Sequence, residues 1–586
     1  MRNLLKKLFL SVALAVFVMS RSAFAMPEIM SLDKIENGMK GVAYTVVDNS
    51  GVIEPFDVEI MGIMDNGKGS AKMIVAKASG EVVDKTGGIL QGMSGSPVYI
   101  DGKLIGALSA GLKEMNPYIF FITPIENMLK IWEMPDTKAI KFVKKPKPTE
   151  TKTDEQATFF FSGFDSNGLK FLERELEPLG FTNFYAASNS RLHNPIKYNA
   201  KLEPGSAFGV AVVCGDFLVG ATGTVTAIDG KKILGFGHPF THAGNVNFFM
   251  MDSDVIAAVS GENGNGIKLA SVGNIIGRIN QDRESGVAGV LGKFPSTIPI
   301  TVNIKNVSSG KVETYRAKIA YNETLVPKLG TAIAYTALSK TFDSLAESTV
   351  TVEFKIETNA VESGVYSRKN MYYSPSDVGQ VAMVELLQAL NVLCANTTEI
   401  TEIYSIEVNV EMESERRTAT LVSAKPNKEL VKPGETVYLE MTVQPYRRRE
   451  EKFTIPYTVP ISRREGPLVL DIHGGALVPV AQASGGGIQP STGTPAQNFQ
   501  NQLNKLLSAT KNNQLILELN PTPALKTDKE RKREAKRLKN LQKQIIELGI
   551  KIPTTTNRFD IGYIIDNVIQ VTVNVDKFDG NINRKD

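Results

Sequence analysis

The chain has 586 residues, of which 42% are hydrophobic and 22% charged, a length that exceeds one hydrophobic core and points to roughly three or four domains. Its net charge of +4 is supplied by Arg2, Lys6, Lys7 and Arg21 alone. The remainder is therefore neutral overall, and no nucleic-acid partner is expected. Two cysteines, Cys214 and Cys394, exclude a disulfide scaffold and a Cys-rich zinc site.

The first 25 residues set the compartment. Arg2, Lys6 and Lys7 precede an apolar run over 8–19, and the small-x-small triplet 23–25 follows. That run is short for a bilayer span and reads as a secretory signal peptide, with the mature chain starting near Met26. Export to a periplasmic or other extracytoplasmic space is expected.

Residues 26–143 carry short Val/Ile-rich runs at 42–47, 58–64, 73–76, 98–100 and 104–109, broken by glycines, which predicts a small antiparallel β-barrel. The Asp101-Gly102 pair predicts a tight hairpin turn. Thr123 reads as the cap of a closing helix with Pro124 at its first position. Residues 144–200 hold a Lys/Pro linker over 144–154 and a helical insertion from 166 to 179. Strand patterning resumes over 201–365, followed by a helix within 366–400 and a β-sandwich-like domain at 401–480, where 404–410 and 436–443 alternate cleanly. A flexible linker occupies 481–498. The last segment, 499–586, is expected as a small α/β tail with a basic helix at 529–547 and a strand at 568–575. The narrow apolar stripe and basic cluster over 527–547 suggest weak contact with a membrane or an anionic envelope polymer.

Within the first barrel, Gly92-Met93-Ser94-Gly95-Ser96-Pro97 sits between a Gly-Gly turn and a strand. A serine flanked by glycines exposes its Oγ, and the backbone amides of Gly92 and Ser94 can form an oxyanion hole. The pattern fits Gly-x-Ser-Gly-x-Pro rather than the Gly-x-Ser-x-Gly elbow, since position 96 is Ser and a strand follows. The general base has to come from His193, His238, His242 or His473. His238 is preferred, enclosed by Gly237 and Pro239 in an apolar β context. A metal site with His242 lacks a helix or an evident carboxylate partner, so neither metal nor cofactor is expected. His473 reads as a loop histidine.

Residues 85–97, followed by 101–107, resemble the nucleophile region of the SpoIVB peptidase family of chymotrypsin-like serine endopeptidases, and 223–238 resembles its histidine region. The resemblance spans roughly 38–131 and 207–295. It implies a mainly β, permuted chymotrypsin-like double β-barrel with helical insertions, because Ser94 precedes His238 by 144 residues where the family has the opposite order. The two barrels would have to pack face to face, with the site in the crevice. It also implies endopeptidase activity on an envelope or secreted protein, or on the chain itself. The family's acidic position corresponds to Ser79 here. Asp84, Asp252, Asp254 and Asp282 are the replacements considered, and Asp282 is favoured as the acidic member. Loss of the orienting carboxylate costs about 10⁴ in turnover in this class. A weak or inactive peptidase-fold scaffold is therefore the alternative reading.

Overall fold

A computed structural model describes residues 26–137, 158–477 and 494–577, apart from short internal segments at 66, 68–70, 112–115, 180, 182–184, 187–194, 262–265, 343, 521–526 and 548–556. The signal-like segment, the 144–154 linker, His193 and residues 481–493 of the second linker lie outside the described residues. The chain divides into two compact units, one comprising Met1–Val302, Thr314–Lys340 and Glu402–Ile406, the other Asn303–Glu313, Thr341–Thr401 and Glu407–Asp586.

The first unit opens with β1 (Lys40–Thr45), β2 (Glu54–Met64), β3 (Met73–Ser79), β4 (Pro97–Ile100), β5 (Lys103–Gly111) and β6 (Ile119–Pro124), which close a barrel in the order β1-β2-β3-β6-β5-β4. Strict alternation explains its interior. In β2, Phe56, Val58 and Ile60 are buried while Pro55, Asp57 and Glu59 face solvent. Ile74, Ala76, Val98, Phe120 and Ile122 complete the packing. The expected hairpin joins β4 to β5, with Asp101 at φ 49° and Gly102 at φ 76°, the left-handed pair that a two-residue turn requires.

Two short strands, β7 (Phe160–Ser162) and β8 (Tyr185–Ala186), precede β9 (Ala207–Gly215), β10 (Leu218–Asp229), β11 (Lys232–Gly235), β12 (Gly244–Val259), β13 (Ile267–Arg283) and β14 (Gly286–Leu291). The pairings run β9-β12-β13-β14-β11-β10, and β10 pairs back onto β9. Six strands thus form a second closed ring, and the expected double barrel follows from the register itself. β9 and β10 are buried almost throughout, which is why they read as continuous apolar runs rather than alternating ones. Leu104, Ala107, Ile125, Met128 and Ile131 from the first barrel meet Ala227, Leu234 and Ala288 from the second. Trp132 locks this seam by donating its indole N–H to the Ile233 carbonyl at 3.1 Å. The closing helix Ile125–Leu129 differs from expectation at its start: Pro124 is the cap residue, because the Thr123 hydroxyl donates to the Gly237 carbonyl at 2.5 Å instead.

In the second unit, the hairpin Ser348–Thr358 and Val365–Ser374 packs with the helices Val378–Ala382 and Val384–Cys394. Arg368 there holds Glu385 through two nitrogens at 2.6 and 2.8 Å, with both side chains buried. The sandwich is built differently from expectation. One sheet combines Thr418–Pro426, Thr436–Pro445 and Glu451–Thr458 with Ile564–Ile565, and the other joins Gly466–Gly474 to Leu430–Val431 and to three strands from beyond residue 513. Their inner faces share one core, in which Val437, Leu439 and Met441 meet Leu470, Leu517 and Val573. The C-terminal segment is therefore half of the sandwich rather than a separate α/β tail, and strand Ile403–Glu413 belongs to neither sandwich sheet. His473, expected in a loop, is a buried strand residue whose Nδ1 donates to the Gly474 carbonyl at 3.0 Å. The basic helix Asp528–Glu547 buries only Leu541. Cys214 and Cys394 are both buried, and burial pushes the Cys214 thiol up to about 12.

Candidate active site

The Ser94 turn lies at the seam of the two barrels, and the second barrel shapes it. Gly95 has φ +96°, and a Cβ there would sit 2.0 Å from the Thr224 carbonyl and 2.5 Å from the Phe236 amide, so only glycine fits. The Gly95 amide donates to Leu108 O at 2.7 Å, and its carbonyl accepts from Thr226 Oγ1 at 2.7 Å.

All four carbonyls over 91–94 are engaged on the protein side. Gln91 O accepts from the Lys268 amide at 2.8 Å and Gly92 O from Thr224 Oγ1 at 3.1 Å. Met93 O takes both the amide and the hydroxyl of Ser96, at 2.9 and 2.6 Å, while Ser94 O accepts from the Thr224 amide at 2.8 Å. In a trans peptide, N–H and C=O point in opposite directions. Holding Gln91 O and Met93 O inward therefore turns the Gly92 and Ser94 N–H groups outward. Neither donates to an acceptor among the described residues, and both residues are partly exposed. The Ser94 hydroxyl itself donates to Ser109 O at 3.1 Å.

His238 follows β11 on a bent path. Phe236 has φ +67°, and the Gly237 amide donates back to Gly235 O at 2.9 Å, a three-residue γ-turn. A non-glycine residue in this conformation stores on the order of 1–3 kcal/mol of strain. Gly237 is pressed against the strand that carries Ser109: a Cβ on it would meet Leu108 O at 2.7 Å. His238 is 5% exposed, its ring edge-on to Phe236 with centroids 5.7 Å apart. Its Nδ1 lies 2.8 Å from Pro239 O. A carbonyl only accepts, so the proton sits on Nδ1 and the basic lone pair on Nε2.

Asp282 is committed to the loop that follows His238. Its fully buried carboxylate accepts from the amides of Phe240, Thr241 and Ala243 and from Thr241 Oγ1, at 2.7 to 3.0 Å. It is the anchor of the loop that continues from His238, so its action on the histidine runs through backbone. A carbonyl, Pro239 O, fixes the ring's tautomer where a triad carboxylate would. Asp252 is likewise committed, to Asn274. His242 faces Glu284, with Nδ1 and Oε2 3.0 Å apart, and no group of three or more metal-ligating side chains occurs among the described residues. Two residues that the sequence did not single out, Lys268 and, within the 223–238 segment, Thr224, touch the nucleophile turn; a lone lysine in a strand carries no recognisable signal.

Two six-stranded barrels, with a glycine-flanked serine turn and a histidine loop meeting at their seam, define the class by its fold: a chymotrypsin-like β-barrel fold. Residues 18–129 match the family described as SpoIVB peptidase S55, a serine peptidase family. The matched segment holds Ser94 and its barrel and ends before the histidine-bearing one. No curated protein and no solved structure matches the chain.

Proposed function

We propose that the chain is an exported serine endopeptidase with Ser94 as nucleophile and His238 as general base, acting on an envelope or secreted protein. The observation that carries this reading is the pair of outward N–H groups, Gly92 and Ser94, flanking the serine in a turn whose carbonyls are all engaged. Such donors stabilise the charge that develops on a carbonyl oxygen during acyl transfer. Ser94 Oγ leaves Ser109 O by rotation about χ1 and attacks the peptide carbon, its proton passing to His238 Nε2. That proton then goes to the departing amine as the C–N bond breaks, and water repeats the sequence on the acyl-enzyme. The serine-first chain order reads as a permutation of the family's arrangement, which leaves such a site intact because geometry alone defines it. Self-processing is compatible with the same chemistry.

A scaffold reading is favoured by one specific contact, the resting hydrogen bond from Ser94 Oγ to Ser109 O rather than to an imidazole. Labelling of the purified protein with a fluorophosphonate separates the two. Labelling of the wild type, with none for Ser94→Ala and strongly slowed labelling for His238→Ala, supports the peptidase. A folded wild type that stays unlabelled favours the scaffold.

A further inference from the structure

Lys268, fully buried at the start of β13, lies beneath the Ser94 turn: a Cβ on Gly92 would come 3.2 Å from Lys268 Cβ and 3.4 Å from its Cε. Its Nζ reaches Thr224 Oγ1 at 3.1 Å and Thr45 Oγ1 at 3.4 Å. The Thr224 hydroxyl has one proton and gives it to Gly92 O, so toward Lys268 it can only accept. The direction of the chain is thereby fixed: amine to threonine hydroxyl to Gly92 carbonyl. The backbone amide of Lys268 holds Gln91 O, and that of Thr224 holds Ser94 O. Two residues of the second barrel therefore grip three carbonyls, those of Gln91, Gly92 and Ser94, of a turn on the first.

We infer that Lys268 and Thr224 are positioning residues that lock the 91–94 peptide planes in the orientation an oxyanion requires. This rests on the reading of Ser94 as the nucleophile. Neither side chain reacts with the substrate; their effect is on where the Gly92 and Ser94 N–H groups point. Gly92, at φ +92°, is the pivot about which those planes would otherwise turn. Burial draws the Lys268 ammonium down to about 7, and the amine donates to Thr224 in either protonation state.

The test uses the full mature chain and three variants: Thr224→Val, isosteric without the hydroxyl; Thr224→Ser, which restores it; and Lys268→Met. Peptide hydrolysis and the affinity for a peptide boronate, a tetrahedral mimic, are measured together. Losing one oxyanion donor costs roughly 10²–10³ in kcat, so loosening both is expected to cost about 10–100-fold in Thr224→Val. KM stays within about twofold and boronate affinity falls in parallel with kcat, since only the tetrahedral state uses the donors. Thr224→Ser recovers most of the loss. Lys268→Met loses less than Thr224→Val, and the double variant loses no more than the worse single one. Using both positions means that one folded variant is sufficient. Hydrogen exchange over 91–95 supplies a readout independent of catalysis: the bonded amides of Gln91, Met93 and Gly95 exchange faster in Thr224→Val and Lys268→Met than in wild type or Thr224→Ser. An inactive wild type overturns the assignment of Ser94 and leaves this exchange pattern to judge the lock. Equal behaviour of the Val and Ser variants in exchange overturns the lock itself, as does a parallel change in KM and kcat without loss of boronate selectivity.

Discussion

Removing the Lys268 amine should make the first unit more stable at neutral pH and erase a pH dependence that the wild type carries. Burial lowers this group from its ordinary 10.5 to about 7 in the folded chain. Below pH 7 both folded and unfolded states hold the proton, and the cost of burying the charge is present in full. Between pH 7 and 10.5 the unfolded chain binds more protons than the folded one, so stability rises with pH in that window, by about 1.4 kcal/mol per pH unit. The whole interval amounts to roughly 5 kcal/mol, which Lys268→Met recovers at pH 6.5 and no longer gains at pH 10. Trp132 is the sole tryptophan and lies on the barrel seam, so its fluorescence follows the unfolding of this unit alone. Urea titrations of wild type and Lys268→Met at pH 6.5, 8 and 9.5 give the difference in stability, from which the titration of every other group cancels. A difference that stays constant from pH 7 to 10 would show that the amine keeps its ordinary affinity for protons, and the account of a dry, buried lysine would fail.

Gly95→Ala places a methyl against two backbone groups and should cost at least about 3 kcal/mol, read as a lowered midpoint of the Trp132 transition. An alanine variant as stable as wild type would mean that the two barrels can part by about an ångström at this point. Asp282→Asn replaces one acceptor oxygen with a donor in a nest of amides, so roughly 3–5 kcal/mol of stability and the labelling of Ser94 should fall together. Retained stability with lost labelling would instead argue that the carboxylate serves the imidazole directly. In the second unit, Glu385→Ala strands the Arg368 guanidinium in a buried site at about 3–5 kcal/mol, seen by hydrogen exchange over Val365–Ser374, while fluorophosphonate labelling of Ser94 stays unchanged.

The two barrels were legible because their signals are local. Alternation in Glu54–Met64, the Asp101-Gly102 turn and the glycines around Ser94 each follow from a few adjacent residues. The sandwich was only half legible, because its second sheet pairs Leu430 with Asn574 and Leu470 with Val571, and no short-range pattern announces partners a hundred or more residues apart. The site shows the same division. Ser94 and His238 stand out by their glycine neighbours. Asp282 was found as an acid worth noting, but only the loop amides around it reveal that it steadies residues 240–243. Lys268 was invisible, since in sequence a strand lysine reads as a solvent-facing residue, and its burial depends on the turn laid across it from the other barrel. Thr123 misled for a related reason: its hydroxyl matches a helix cap and is spent on Gly237.

The dependence of the Ser94 turn on residues 224 and 268 bears on biosynthesis. A chain made from its N-terminus completes the serine-bearing barrel while the strands that grip Gln91, Gly92 and Ser94 have yet to emerge. At that stage the carbonyls of Gln91, Gly92 and Ser94 lack the partners that Lys268 and Thr224 supply, and His238 has not been made. On the proposed reading of Ser94 as nucleophile, the serine is synthesised early and its turn is set only once residues 224 and 268 are in place.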